Sequence, residues 1–159
     1  MRHVIILLAM AALLIPTLAA ADDQPMVSVE SPRQMNPVRP GGRVKLQFIL
    51  KLKDGIHINS EQPGDESLIP TKVVLLPLEG FQLVSVTYPR PFMRKFSYTD
   101  KPVPVFTGAV KLELHIKVDA GVEPDTYLLP VTISLQACDD ETCFMPRKWS
   151  VDMPLVVSP

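Results

Sequence analysis

Val110-Lys111-Leu112-Glu113-Leu114-His115-Ile116-Lys117-Val118 alternates aliphatic and polar residues without a break. Successive side chains of an extended chain point to opposite faces, so Val110, Leu112, Leu114, Ile116 and Val118 share an apolar face and Lys111, Glu113, His115 and Lys117 a wet one. Val44, Leu46, Phe48, Leu50 and Leu52 repeat the pattern, with Lys45, Gln47, Lys51 and Lys53 opposite. These are antiparallel strands with one face on a core and one in water.

Weaker alternation marks Met26 to Glu30, Gly55 to Asn59, Thr71 to Leu76, Phe81 to Tyr88, Val103 to Phe106, Thr126 to Cys138 and Trp149 to Val157. Seventeen prolines and seven glycines punctuate these runs. Beyond the N-terminal segment, no long stretch carries the 3.6-residue period of an amphipathic helix. Short strands at this spacing predict an all-β fold, an immunoglobulin-like antiparallel β-sandwich of two packed sheets with roughly eight or nine strands. Gln34 to Gly42 and Gln62 to Pro70 read as loops within it, and no internal repeat or interdomain linker interrupts the chain.

The N-terminus has a different character. Arg2 precedes an unbroken apolar run from Val4 to Ile15, followed by Pro16 and the small-residue tract Ala19-Ala20-Ala21. This is the order of a secretory signal, expected to be cut after Ala21, and the apolar run is short of the about 20 residues that span a bilayer. The reading is residues 1–21 as signal peptide and 22–159 as one soluble β-sandwich domain, large enough for a core of its own, with no stable membrane insertion. Without Arg2, 15 basic residues stand against 17 acidic ones. Such a balance offers nucleic acid no basic patch.

Both cysteines, Cys138 and Cys143, fall in the exported part, where disulfides form and persist, and are expected to pair. The run Leu135-Gln136-Ala137-Cys138-Asp139-Asp140-Glu141-Thr142-Cys143-Phe144-Met145-Pro146 ends a strong strand, crosses four polar residues and turns back. It reads as a hairpin with one cysteine on each arm. Facing residues of a non-hydrogen-bonded antiparallel pair lie about 4.5 Å apart at Cα, within reach of a disulfide. Closing so short a loop stabilises by only about 2 kcal/mol, a weak place for a staple. Two readings stay open: a redox-active pair, or a structural brace in a noncatalytic protein-binding module. Asp139, Asp140 and Glu141 between the thiols oppose thiolate formation; they read either as a simple soluble turn or as a device that restricts exchange to docked partners.

The segment Gln136 to Pro146, with its Gln-Ala-Cys-x4-Cys-x2-Pro pattern, resembles the redox segment of the N-terminal periplasmic domain of DsbD, a transmembrane thiol:disulfide reductase. Gly55-Ile56-His57-Ile58-Asn59-Ser60, Leu68-Ile69-Pro70-Thr71 and Tyr88-Pro89 agree with that family, and the resemblance covers nearly all of the exported chain. It implies an immunoglobulin-like domain of the periplasm. Such a domain takes electrons from a membrane-embedded thiol reductase by way of a thioredoxin-like donor and passes them to periplasmic oxidoreductases through a mixed disulfide. By the same resemblance Cys143 forms the intermolecular bond, Cys138 resolves it, and an aromatic cap covers the disulfide. Phe96, in Phe92-Met93-Arg94-Lys95-Phe96-Ser97-Tyr98, is the cap residue so implied, with His57, Asn59 and Tyr98 as site neighbours. The basic pair Arg94-Lys95 stands where the family's best-known member is acidic, and four residues rather than five separate the cysteines; both differences bear on partner choice. No transmembrane or thioredoxin-like stretch follows Pro159, so the electron donor is expected to be a separate protein.

No cofactor is expected. An exported sandwich with Cys143, Met145 and His57 invites comparison with a copper site, but that needs two histidines and a cysteine. The other histidine of the exported chain, His115, falls on the wet face of a regular strand. His57 itself is read as structural or as an acid–base group.

Overall fold

The computed structural model describes residues 25–34 and 36–159; the expected signal peptide and its cleavage point lie outside the described residues. Eleven strands follow one another: β1 (Val27–Gln34), β2 (Arg43–Leu52), β3 (His57–Asn59), β4 (Lys72–Leu75), β5 (Phe81–Thr87), β6 (Phe92–Arg94), β7 (Val103–Thr107), β8 (Ala109–Val118), β9 (Thr126–Leu135), β10 (Ala137–Cys138) and β11 (Arg147–Val156). They form three antiparallel sheets, ordered β1-β2-β8-β5, β10-β3-β7-β6 and β11-β9-β4.

The two most regular sequence runs are neighbours in the first sheet. β2 and β8 pair with Val44 opposite Ile116, Leu46 opposite Leu114, Phe48 opposite Leu112 and Leu50 opposite Val110. Their apolar faces therefore coincide, and every one of these residues is buried. Each such side chain contributes about 1.5–3 kcal/mol by leaving water. A one-residue slip of either strand would turn its whole apolar row outward, which is why the register is well specified.

The opposing layer supplies Leu129, Val131, Ile133 and Leu135 from β9 and Met153 and Leu155 from β11 to the same core cluster. Val131 faces Val151 and Leu129 faces Met153 across that ladder. At one edge the layers are tied by Gln34, whose amide donates to the Val156 carbonyl (3.0 Å) and accepts from the Val156 N–H (2.6 Å).

The sandwich holds, but its second layer is divided into two hydrogen-bonded ribbons. The run expected as one strand from Thr126 to Cys138 breaks at Gln136. Up to Leu135 it pairs with β4 and β11, whereas Ala137 and Cys138 pair with Ile58 and His57 of β3. The β10-β3-β7-β6 ribbon adds Ile58, Phe106 and Ala137 to the common core. β6 is a further strand that alternation does not disclose: three residues, all exposed, paired only with β7 and lying just beyond Pro89 and Pro91. An exposed edge strand this short has no buried face to impose a period.

Candidate functional site

The site is built at the β10-β3 end of that ribbon. Gly55, with φ 79°, occupies the left-handed region in the turn closed by Ile56 N–H to the Lys53 carbonyl (3.0 Å). Glycine adopts that conformation without a Cβ penalty, and the turn sends the chain from β2 into β3. β3 is buried throughout, and its first residue, His57, lies opposite Cys138 on one side and Thr107 of β7 on the other.

Cys138 and Cys143 are disulfide-bonded and face each other as an antiparallel bridge with Cα atoms 4.0 Å apart. The flanking bonds, Asp139 N–H to the Thr142 carbonyl and Phe144 N–H to the Ala137 carbonyl (both 2.9 Å), make this a non-hydrogen-bonded pair, as the hairpin reading predicts. The Asp139 carboxylate accepts the N–H groups of Glu141 (2.9 Å) and Thr142 (2.8 Å), and these two bonds hold its carboxyl below the usual carboxylate range. Gln136 braces the returning arm by donating to the Phe144 carbonyl (2.9 Å). The two sulfur-bearing residues differ in access: Cys138 is fully buried, at 0% exposure, while Cys143 is half-buried.

An aromatic stack stands beside this hairpin. The Phe96 ring lies over His57 with centroids 4.1 Å apart and planes 10° from parallel, and Tyr98 stacks on Phe96 at 5.2 Å. Phe96 is 5% exposed although it belongs to a loop. The Tyr98 hydroxyl contacts His57 Nε2 (2.9 Å) and donates to the Asp139 carbonyl (3.3 Å). Arg94 sits 5.3 Å from the Phe96 ring centroid and pairs with Asp140 (2.8 Å), and Ser97 Oγ donates to the Asp140 carbonyl (3.4 Å).

The structure thus joins Cys138, Cys143, His57, Phe96 and Tyr98 in one cluster. Asn59 serves that cluster at a distance: its amide donates to the Ile69 carbonyl (3.0 Å) and its own carbonyl accepts from Thr71 Oγ1 (2.6 Å), anchoring the Gln62–Pro70 loop against β3. Arg94, Asp140 and Ser97 are the connections that sequence reasoning missed. The opposite charges of Arg94 and Asp140 were visible, but nothing local placed them together. Their pairing also changes the electrostatics of the turn, because Asp139 is engaged by backbone N–H groups and Asp140 by a guanidinium.

Burial holds the His57 pKa below its ordinary 6.5, with Arg94 acting in the same direction and Asp140 and Asp139 against it. Burial likewise raises that of the Tyr98 hydroxyl, helped by Asp139 and Asp140. His57 Nδ1 is buried without a hydrogen-bond partner. His115 lies on β8 in the other layer, against Thr87 (3.0 Å) and Glu113 (3.2 Å), so the two histidines do not converge with the cysteines.

Sandwich and site together define an immunoglobulin-like domain with a hairpin disulfide held beside an aromatic loop. The family described as "Thiol:disulfide interchange protein DsbD, N-terminal" matches residues 23–155, and the chain belongs to that family. Among solved structures it is similar to the N-terminal periplasmic domain of ScsB from Proteus mirabilis. Identity is 14%, the TM-score 0.52, and the match covers 84% of this chain and 48% of that one, so the chain spans about half the length of that relative. The reduced DsbD N-terminal domain of Neisseria meningitidis aligns at 10% identity and TM-score 0.48 over 70% of this chain and 77% of that one. No curated protein matches the sequence. Among the described residues no helix is long and apolar enough to cross a membrane.

Proposed function

We propose that this chain is an exported exchange domain in which Cys143 forms the mixed disulfide with a partner and Cys138 resolves it. The observation that carries this is the unequal burial of the two cysteines: Cys143 is half-buried and Cys138 fully buried, which favours Cys143 as the one an incoming thiolate meets first. Phe144 and the 83% exposed Met145 follow directly and offer apolar surface for docking. Phe96 and Tyr98 form the cap that limits access until a partner displaces it.

The same reading makes residues 1–21 a signal peptide and 22–159 the mature periplasmic domain. Its electrons come from a membrane-embedded thiol reductase or a thioredoxin-like donor and leave to periplasmic thioredoxin-like oxidoreductases. Cys138→Ser removes the internal route of escape, so an intermolecular disulfide with a thioredoxin-like protein accumulates, and Cys143→Ser abolishes it. Nonreducing electrophoresis and mass spectrometry of the adduct read both. Equal trapping by the two variants overturns the assignment, and no adduct with either supports a structural brace in a noncatalytic binding module.

A further inference from the structure

Cys138 has to become a thiolate to close the disulfide, and its burial and carboxylate neighbours oppose that. It is at 0% exposure, out of reach of solvent bases, and the next two residues are carboxylates. Burial and neighbouring negative charge both favour the protonated thiol. A base inside the protein is needed, and the cross-strand position opposite Cys138 holds one. Directly opposed residues of an antiparallel pair project to the same face with Cβ atoms about 4.5–5.5 Å apart, and His57 is the register partner of Cys138. Its Nε2 is engaged by the Tyr98 hydroxyl, while Nδ1 is buried and has no partner. Leaving a buried polar atom unpaired is costly, so an orphan beside the cysteine pair calls for an explanation.

We infer that His57 is the general base of the resolving step, with Nδ1 taking the proton from the Cys138 thiol as Cys138 attacks the mixed disulfide at Cys143. This deepens, and rests on, the exchange reading above. The Tyr98 hydroxyl donates to the Asp139 carbonyl and can accept from Nε2–H, which leaves Nδ1 as the basic nitrogen. In the step, the Cys138 S–H bond breaks and its proton moves to Nδ1. The Cys138–Cys143 bond forms as the bond from Cys143 to the partner sulfur breaks. The electron pair leaves on that sulfur as a thiolate, which takes the proton from the imidazolium. The domain dithiol is oxidised to its disulfide and the partner disulfide is reduced to its dithiol, two electrons and two protons in all. The disulfide form shown here offers Nδ1 no proton, which accounts for its lack of a partner. Stacking under Phe96 and burial favour the neutral ring that a base requires. The charged and titratable groups around it are Arg94 from β6, Tyr98 from the cap loop, and Asp139 and Asp140 from the turn; Thr107, its β7 neighbour, carries no charge.

The test mixes reduced protein with oxidised glutathione and follows, by rapid acid quench and mass spectrometry, formation and decay of the Cys143–glutathione adduct. In His57→Gln the decay at pH 7 is expected to slow on the order of a hundredfold, the lower end of what general-base catalysis supplies. The gap should close as pH rises and hydroxide takes over. Adduct formation, measured in Cys138→Ser with and without His57→Gln, should not slow, and it rises to the extent that loss of the His57–Phe96 stack opens the loop. Equal decay rates in wild type and His57→Gln overturn the inference. Failure of Cys138→Ser to form any adduct overturns the exchange reading beneath it, a distinguishable result. A second measurement needs no variant at His57: the 15N resonance of Nδ1 in the wild-type protein should shift on reduction, as Cys138 S–H becomes its hydrogen-bond donor, and an unmoved resonance overturns the inference.

Discussion

Arg94 Nη2 lies 2.8 Å from Asp140 Oδ2, and this ion pair ties the short edge strand β6 to the turn between the cysteines. Both side chains are substantially exposed, so the contact is a latch rather than a source of stability. Its place matters more than its strength: it closes a ring of contacts running through Arg94, Phe96, Tyr98, Asp139 and Asp140 beside the cysteine hairpin.

Arg94→Ala should loosen that latch. An exposed pair is worth about 0.2–1 kcal/mol, so reduction of the disulfide by a small thiol should accelerate by about 1.5- to 5-fold, and the difference should shrink as salt is raised. Rates with dithiothreitol at two ionic strengths check this; no change at low salt would show that the pair does not govern access.

Phe96→Ala removes the ring that stacks on both His57 and Tyr98. Each aromatic pair contributes about 0.5–1.5 kcal/mol beyond its buried area, so the cap should open more readily than in Arg94→Ala, with small-thiol reduction faster on the order of tenfold. Exchange with a thioredoxin-like protein should change less, because docking displaces the cap in either case. The comparison of the two rates is the measurement.

Reduction of Cys138–Cys143 should leave a cooperative thermal transition. The loop closed by the bond is short, with a sequence separation of 5. The loss is therefore about 2 kcal/mol, or roughly 5 to 10 °C in Tm for a domain of this size. Melts with and without reductant test it, and disappearance of the transition would show the bond to be essential to the fold.

His57 also gives stability a pH dependence. Its folded-state pKa lies below the ordinary 6.5, chiefly through burial, so on acidification the unfolded chain takes up a proton before the folded one does. The unfolded state then binds more protons, and stability falls as pH drops from about 6.5 through the lowered value, with the full contribution present only above about 6.5. Tm measured from pH 7.5 to 5 should decline less in His57→Gln than in wild type.

The layered all-β architecture was legible because alternation is a local property. In β2 and β8 every second residue is apolar, and burying both rows at once excludes any one-residue slip from the register that sets Leu46 against Leu114. The hairpin around the cysteines was legible for the same reason, since four polar residues between two strand-like arms leave the chain little choice but to turn. The break at Gln136 was not. Thr126 to Cys138 carries one continuous pattern, and only the competition between β11 and β3 for its backbone hydrogen bonds decides where it changes sheet.

The aromatic stack was beyond local reading, although the resemblance had singled out Phe96 with His57 and Tyr98 as its neighbours. Phe96 and Tyr98 sit in a loop without periodicity, and their partners are remote: 41 residues separate Tyr98 from His57, and 46 separate Arg94 from Asp140. The sequence alone determined which residues could bear the chemistry, because thiols, an imidazole and a strand period are written residue by residue. Tertiary structure alone decided that His57 lies opposite Cys138, that Cys138 is buried and Cys143 half-buried, and that an arginine ties β6 to the turn between the cysteines. Those relations arise from packing segments far apart in the chain, where burial and charge pairing, not local propensity, select the neighbour.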